Sequence, residues 1–395
     1  MINFISLPER FTAYQTMKIL IAVDSYKGSL TSVEAGQAIQ KGLKEASSIL
    51  ETEIIPIADG GEGMLTVMLN TLGGEIQRKI VHNPCMKPIS AEYGISYNNK
   101  TAFIEMANAS GLTLIEEHQR NPMKTTTYGT GELICDALDK GCEQIIIGIG
   151  GSATNDAGIG ILQALGFKFT DKNGYTLGVG GEILSKIAKI NIENKHPLLE
   201  KAHFIVACDV NNPFCGTNGA AYAYAQQKGA DKQMIKDLDD GMRSFAKIIR
   251  ETTGKDIRHI PGSGAAGGAG GGLLAFLNTE LKSGAELLLK FSHFEEKAQN
   301  ASLIITGEGK IDKQTLAGKI PYHILQIGKK KEIPVIAIAG KVENRDLLLK
   351  AGFTDIYSIT PKGMTIKEAM KPDTAINNLQ KTSFKLASAY LKTLI

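Results

Sequence analysis

A chain of 395 residues exceeds the size at which one hydrophobic core usually serves, so two domains, or one domain with a large insertion, are expected. Apolar residues make up 43% and charged residues 22%, with a formal net charge of +3, an ordinary balance for a soluble globular enzyme. That balance, with no block of basic residues and no long apolar run, argues against nucleic-acid partners and against a membrane span.

Residues 1–16 lack the basic and apolar regions of a signal peptide and read as a disordered N-terminal extension. From Met17 the pattern is regular. Lys18 to Val23 reads as a buried strand, Ser32 to Glu45 as a helix, Glu53 to Ile57 as a second strand and MLTVMLNTLG as the helix after it. Strands that feed loops and then helices indicate α/β architecture with a mostly parallel sheet. Between residues 76 and 106 the style changes to short alternating pieces, IQRKIVHN, ISAEYGISY and KTAFIEMA, divided by Pro and Asn turns, which suggests antiparallel β-structure. A helix at Tyr128 to Lys140 and the strand in EQIIIGIG follow. Further strand-loop-helix units are expected near 204–228 and 257–280. ASLIIT at 301–306 and PVIAIA at 334–339 read as buried parallel strands, with a last strand near Asp355 to Ile359. The expected organisation is a Rossmann-like α/β domain from 17–75 plus 290–395, an inserted mixed α/β domain over 76–289, and a cleft between them.

Three kinds of loop carry candidate chemistry. HIPGSGAAGGAGGGLLAF places seven glycines among positions 262–272. It reads as an anion-binding loop of bare amides ahead of a helix N-terminus, as close helix packing, or as a linker. It is not a Walker A loop, because no G-x4-GK-[ST] occurs. GIGGSATNDAG, residues 148–158, matches G-x-G-x-x-A through Gly148, Gly150 and Ala153, with Asp171 downstream, a signal for NAD. The side chains of Ser152, Thr154, Asn155 and Asp156 suit a small polyhydroxy or carboxylate ligand equally well, with helix capping as the plain alternative. Acidic turns recur at strand ends: Asp24 with Lys27, Asp59 with Glu62, Asp209 with Asn211, and Glu308 with Lys310, Asp312 and Lys313. Ligands of open α/β sheets bind beyond those ends. Phosphoryl transfer leads this reading, ahead of NAD-linked hydroxyacid oxidation and of a non-catalytic metabolite-binding protein. Five cysteines without CxxC spacing and seven histidines without HExxH suggest a reducing, cytoplasmic setting and no zinc site.

VDSYKGSLTSVEAGQAI, PIADGGEG, GIGGSATNDAGIGILQALG, CDVNNPFCGTNGAAYAYAQQKGA, PGSGAAGGAGGGLLAFL and LIITGEGKIDKQTLAGKIP, in this order, resemble the signature segments of the bacterial glycerate kinase family, the class unrelated to P-loop kinases. The resemblance runs from about Met17 to the C-terminus. It implies two α/β domains with the active site between them and ATP-dependent phosphorylation of D-glycerate, usually to 2-phosphoglycerate, with the 3-phosphoglycerate product as the alternative. Two stretches depart from the pattern: Asn83, Cys85 and Met86 replace a Gly-Pro-Leu-Gly region, and Ala225 and Gln226 stand before Gln227, Lys228 and Gly229 where Gly-Pro is common.

On this reading ATP is held by the glycine loop (Gly262, Gly264, Gly267, Gly268, Gly270 and Gly271), and Mg²⁺ by one or two of Asp59, Asp209 and Glu308. Asp209 or Asp312 acts as the base. Lys27 or Lys313 neutralises the transferred phosphoryl group or the substrate carboxylate. Asp24, Lys27, Ser152, Thr154, Asn155, Asp156 and Asn211 are expected to bind glycerate. A monomer or homodimer is expected.

Overall fold

The buried strands read from both ends of the chain meet in one sheet. The structure, a computed structural model, describes residues 17–57 and 64–392. In chain order its strands are β1 (Lys18–Val23), β2 (Glu51–Ile54), β3 (Gly74–His82), β4 (Pro88–Ser96), β5 (Thr101–Glu105), β6 (Gln144–Gly148), β7 (Lys168–Thr170), β8 (Lys189–Asn191), β9 (His203–Ala207), β10 (Thr279–Lys282), β11 (Leu303–Ile311), β12 (Val335–Val342) and β13 (Asp355–Ser358). The chain divides into two compact units. One runs to Ile57 and resumes at His293; the other is Ala58–Ser292.

The terminal unit is a five-stranded sheet in the order β13-β12-β11-β1-β2, parallel throughout. Its central strands are apolar on both faces, as a sheet covered on both sides requires. Ile19, Ile21, Val23, Leu303, Ile305, Ile336 and Ile338 pack with Ile39, Leu43 and Leu379 of the helices, each contributing about 1.5–3 kcal/mol of burial. The first helix, Ser32–Ala46, starts at a capping box: Thr31 Oγ1 accepts from Glu34 N, and Glu34 Oε2 accepts from Thr31 N.

The inserted unit holds a six-stranded mixed sheet, β10-β9-β6-β5-β4-β3, and a small β7-β8 hairpin. Within the six-stranded sheet the β3-β4 and β4-β5 pairs are antiparallel and β5-β6-β9-β10 are parallel. The alternating stretch 76–106 therefore forms the antiparallel edge, as its periodicity suggests. The turn that departs from the family pattern is organised by its own Asn83, whose Oδ1 accepts from Cys85 N and Lys87 N, while Met86 takes φ 59°.

Three expectations change. The helix Met64–Leu72 packs on β3, β4 and β5 and lies in the inserted unit, so residues 64–75 do not group with the terminal strands. The helix is largely apolar, and Leu65 and Leu69 lie against Gly94 of β4. Near 257–280 no strand precedes the helical segment; Ala265–Phe276 comes first and β10 follows. A 22-residue helix, Lys232–Thr253, is an addition to the sequence reading.

Candidate active site

The carboxyl ends of β6 and β9 open into a pocket of about 420 Å³, lined by Ile149, Gly151, Ser152, Cys208, Asp209, Tyr224, Lys228 and Ala266 among others. All of it belongs to the inserted unit. The loop after β6 is stitched down by backbone bonds. Leu112 N donates to Gly151 O, Ala153 N to Ser110 O, and Ala157 N to Gly267 O.

Within that loop the four polar residues separate into two roles. Ser152 faces the pocket. Asp156 is fully buried and accepts from Thr127 N (2.8 Å), Thr127 Oγ1 (2.9 Å), Thr126 Oγ1 (3.3 Å), Gly158 N and Gly160 N (both 3.2 Å). Burial pushes its carboxyl pKa up while the bonds from Thr127, Gly160 and Gly158 pull it back. It is a staple that orders the loop. Thr154 and Asn155 are also buried; Thr154 Oγ1 and Asn155 Oδ1 have no protein partner among the described residues.

The helix after this loop begins only at Ile159, beyond Thr154–Gly158. A dinucleotide fingerprint needs the glycine turn to open the helix directly, so the Gly148–Gly150–Ala153 spacing lacks the structural context that NAD binding requires.

The glycine run is explained by packing. Gly262, Gly264, Gly267, Gly268, Gly270 and Gly271 are all buried. A Cβ at Gly264 would sit 2.1 Å from Pro213 O, at Gly267 2.1 Å from Thr154 O, and at Gly271 2.5 Å from the Phe214 ring. The amides of Ser263, Gly264, Ala265, Gly268 and Gly271 already donate to carbonyls of the protein. Ala266, Gly267 and Gly268 take φ of 52°, 68° and 87° in succession. This left-handed turn brings Ala265 and Ala266, rather than the glycines, to the pocket.

Asp209 lines the pocket; its Oδ1 accepts from Ser283 Oγ and Gly284 N, both at 2.9 Å. Ser283 is itself the N-cap of the helix Gly284–Phe291, whose positive end favours an ionised carboxylate. Asn211 lies two residues on and is exposed.

Lys228 is the residue that the sequence reading passes over. It is 2% exposed, lines the pocket, and donates to Ser152 Oγ at 2.9 Å and Thr154 O at 2.7 Å. Burial lowers its pKa to about 7, against the pull of Asp156. The available signal was a lone lysine closing the small-residue helix AAYAYAQQKG.

A second set of candidates sits just past β1, within β11 and just past β11, in the terminal unit. Asp24, Glu308 and Asp312 are buried there, at 5%, 8% and 8% exposure. Glu308 accepts from Thr315 Oγ1 at 2.9 Å and pairs with Lys319 at 2.8 Å. Asp312 pairs with Lys310 at 3.0 Å and accepts from Gln314 N; chiefly through Lys310, its carboxyl is held below the usual range. Tyr26, buried and donating to Ile338 O, has its hydroxyl pKa pushed far up by burial, then by the charges of Glu308 and Asp24. Lys313 is exposed, and Lys27 adjoins Tyr26 in the loop after β1. Asp59 lies outside the described residues. Among those residues no three His, Cys, Asp or Glu side chains form a group able to hold a metal, and no helix is long and apolar enough to cross a membrane.

A family profile described as the glycerate kinase family matches residues 19–391. The chain is 43% identical to a glycerate kinase of Halalkalibacterium halodurans, covering 95% of this chain and 99% of that protein. It is also 43% identical to a glycerate 2-kinase of Escherichia coli, over 94% and 97% of the two chains. The crystal structure of a protein described as glycerate kinase 2, from Salmonella typhimurium LT2, superposes with a TM-score of 0.85 at 42% identity, covering 96% of this chain and 99% of that one. With two α/β units, one inserted in the other, and this agreement over nearly its whole length, the chain belongs to the glycerate kinase family.

Proposed function

We propose that the protein transfers the γ-phosphoryl group of ATP to the C2 hydroxyl of D-glycerate, giving 2-phosphoglycerate and ADP. The observation that carries the choice of a small acid is the pocket beyond β6 and β9, where Ser152, Asp209 and the buried Lys228 converge on a space of about 420 Å³. The likeness to a glycerate 2-kinase over 94% of the chain supports C2 over C3. We place the enzyme in the cytoplasm as a monomer or homodimer.

Asp209 serves as the base for the substrate hydroxyl. Asp312 suits that role less, because it does not line this pocket, whereas Asp209 does. Lys27 and Lys313 carry charge suited to phosphoryl oxygens. The buried oxygen donors Glu308, within β11, and Asp24, just past β1, fit a Mg²⁺ ion in donor chemistry and would hold it once Glu308 exchanges its present pairing with Lys319 for the ion. Bound there, the ion would offset negative charge on the phosphates.

The test is a coupled assay of ADP release, with phosphorus NMR of the product. Release that requires both D-glycerate and Mg²⁺, with the phosphate on C2, supports the reading. A 3-phosphate product corrects the regiochemistry. Nicotinamide reduction without ADP release refutes the kinase chemistry.

A further inference from the structure

Lys228 supplies the one cation among the described residues of the pocket wall; the other charged side chain there is Asp209. Two of its three N–H bonds are committed, to Ser152 Oγ and Thr154 O, and both acceptors are neutral. The carboxylate that acts on it from behind, Asp156, is itself covered by donors from Thr126, Thr127, Gly158 and Gly160. A buried ammonium held only by neutral oxygens is costly. Such an arrangement is characteristic of a site where a ligand brings the opposite charge.

We propose that Lys228 is the anchor for the carboxylate of D-glycerate and so sets the preference for an acid over a neutral polyol. This deepens the kinase reading and rests on it. The third N–H of Lys228 donates to the carboxylate, and Ser152, whose oxygen accepts from Lys228, has its own hydroxyl proton to give to the same group. A single enclosed ammonium matches one carboxylate. A nucleotide triphosphate spreads several charges along a longer chain, which one enclosed cation cannot balance.

The pH behaviour gives a test on the unaltered protein. With a pKa near 7, Lys228 loses its charge across the neutral range. The other titratable groups on the wall are Asp209, Cys208 and Tyr224, of which burial pushes the thiol and the phenol upward. Asp156 faces Lys228 from the loop after β6, with its carboxyl raised by burial.

Binding of D-glycerate, of its neutral amide glyceramide and of ATP is measured by calorimetry on the full chain at pH 6 and pH 8.5, with steady-state kinetics for the wild type and for Lys228→Met. D-glycerate affinity should fall about tenfold or more between the two pH values, while glyceramide affinity stays level. Lys228→Met should raise KM for D-glycerate about a hundredfold with a smaller change in kcat. It should also abolish the pH dependence, remove the preference for D-glycerate over glyceramide, and leave ATP binding unchanged. D-glycerate binding that is level with pH in the wild type, a variant that keeps the preference, or a loss confined to ATP each overturns the assignment. The wild-type measurement stands even if the variant fails to fold. A wild type that neither binds nor phosphorylates D-glycerate refutes the kinase reading itself; turnover of D-glycerate that is indifferent to Lys228 refutes only this inference.

Discussion

Replacing Gly267 by alanine would put a methyl carbon 2.1 Å from Thr154 O and 2.6 Å from Asn155 Cα. Both are backbone atoms of the stitched loop, so neither can swing aside. The residue also sits at φ 68°, where a Cβ costs about 1 kcal/mol, and overpacking a filled interior adds about 1–3 kcal/mol. The sum is about 2–4 kcal/mol, or about 5–15 °C in melting temperature for a domain of this size. Gly254 provides the control. It ends the helix Lys232–Thr253 at φ 74°, and a Cβ there meets nothing within 4 Å, so Gly254→Ala carries the conformational penalty alone, about 1 kcal/mol. Calorimetric melting of both variants separates close packing from mere backbone freedom. Because Thr154 O holds Lys228, Gly267→Ala should also weaken activity at temperatures where it stays folded. If the two variants melt within about 2 °C of each other, the packing account of the glycine run is wrong.

Asp209→Ala should cut turnover about a hundredfold or more while the circular dichroism spectrum is kept; unchanged kcat would remove Asp209 as the base. Glu308→Gln should raise the Mg²⁺ concentration for half-maximal activity at least about tenfold, read in the same ADP assay, and an unaltered Mg²⁺ curve would clear Glu308 of metal binding. Asp136 is held at a pKa of about 2: burial alone would raise it, but Lys140, Tyr93 and Lys79 overcome that. A lowered carboxyl contributes stability above its unfolded pKa and loses it as pH falls through the folded one. Asp136→Asn should therefore cost about 1 kcal/mol at pH 7 in urea unfolding, with the gap to wild type closing between about pH 4 and pH 2; a gap that widens on acidification would contradict the assignment.

The strands were legible because burial leaves a direct mark. Lys18–Val23 is apolar from its second residue on, and a parallel strand covered on both faces has no other way to read. The antiparallel edge was equally plain in the alternation of residues 76–106. The meaning of the glycines was harder, because an amide cradle and a close backbone crossing both demand the absence of a side chain; the position of Thr154 O against Gly267 reveals the crossing, which no sequence pattern announces. Asp156 illustrates the same limit. A polar residue in a loop announces a hydrogen bond, but not whether the partner is a ligand or Thr127. Lys228 was hidden for the opposite reason, since a single lysine in a helical segment ordinarily reaches water, and its enclosure depends on a loop some seventy residues earlier in the chain.

The contact between Gly267 and the Thr154 carbonyl also limits how this enzyme can be re-engineered. That contact, one residue from the pocket-lining Ala266, is backbone pressed on backbone, with no side chain there to trim or enlarge. A broader range of acceptor acids must be sought by changing Leu112, Val210 and Tyr224 around the rim, and libraries aimed at residues 262–272 should return mostly insoluble clones.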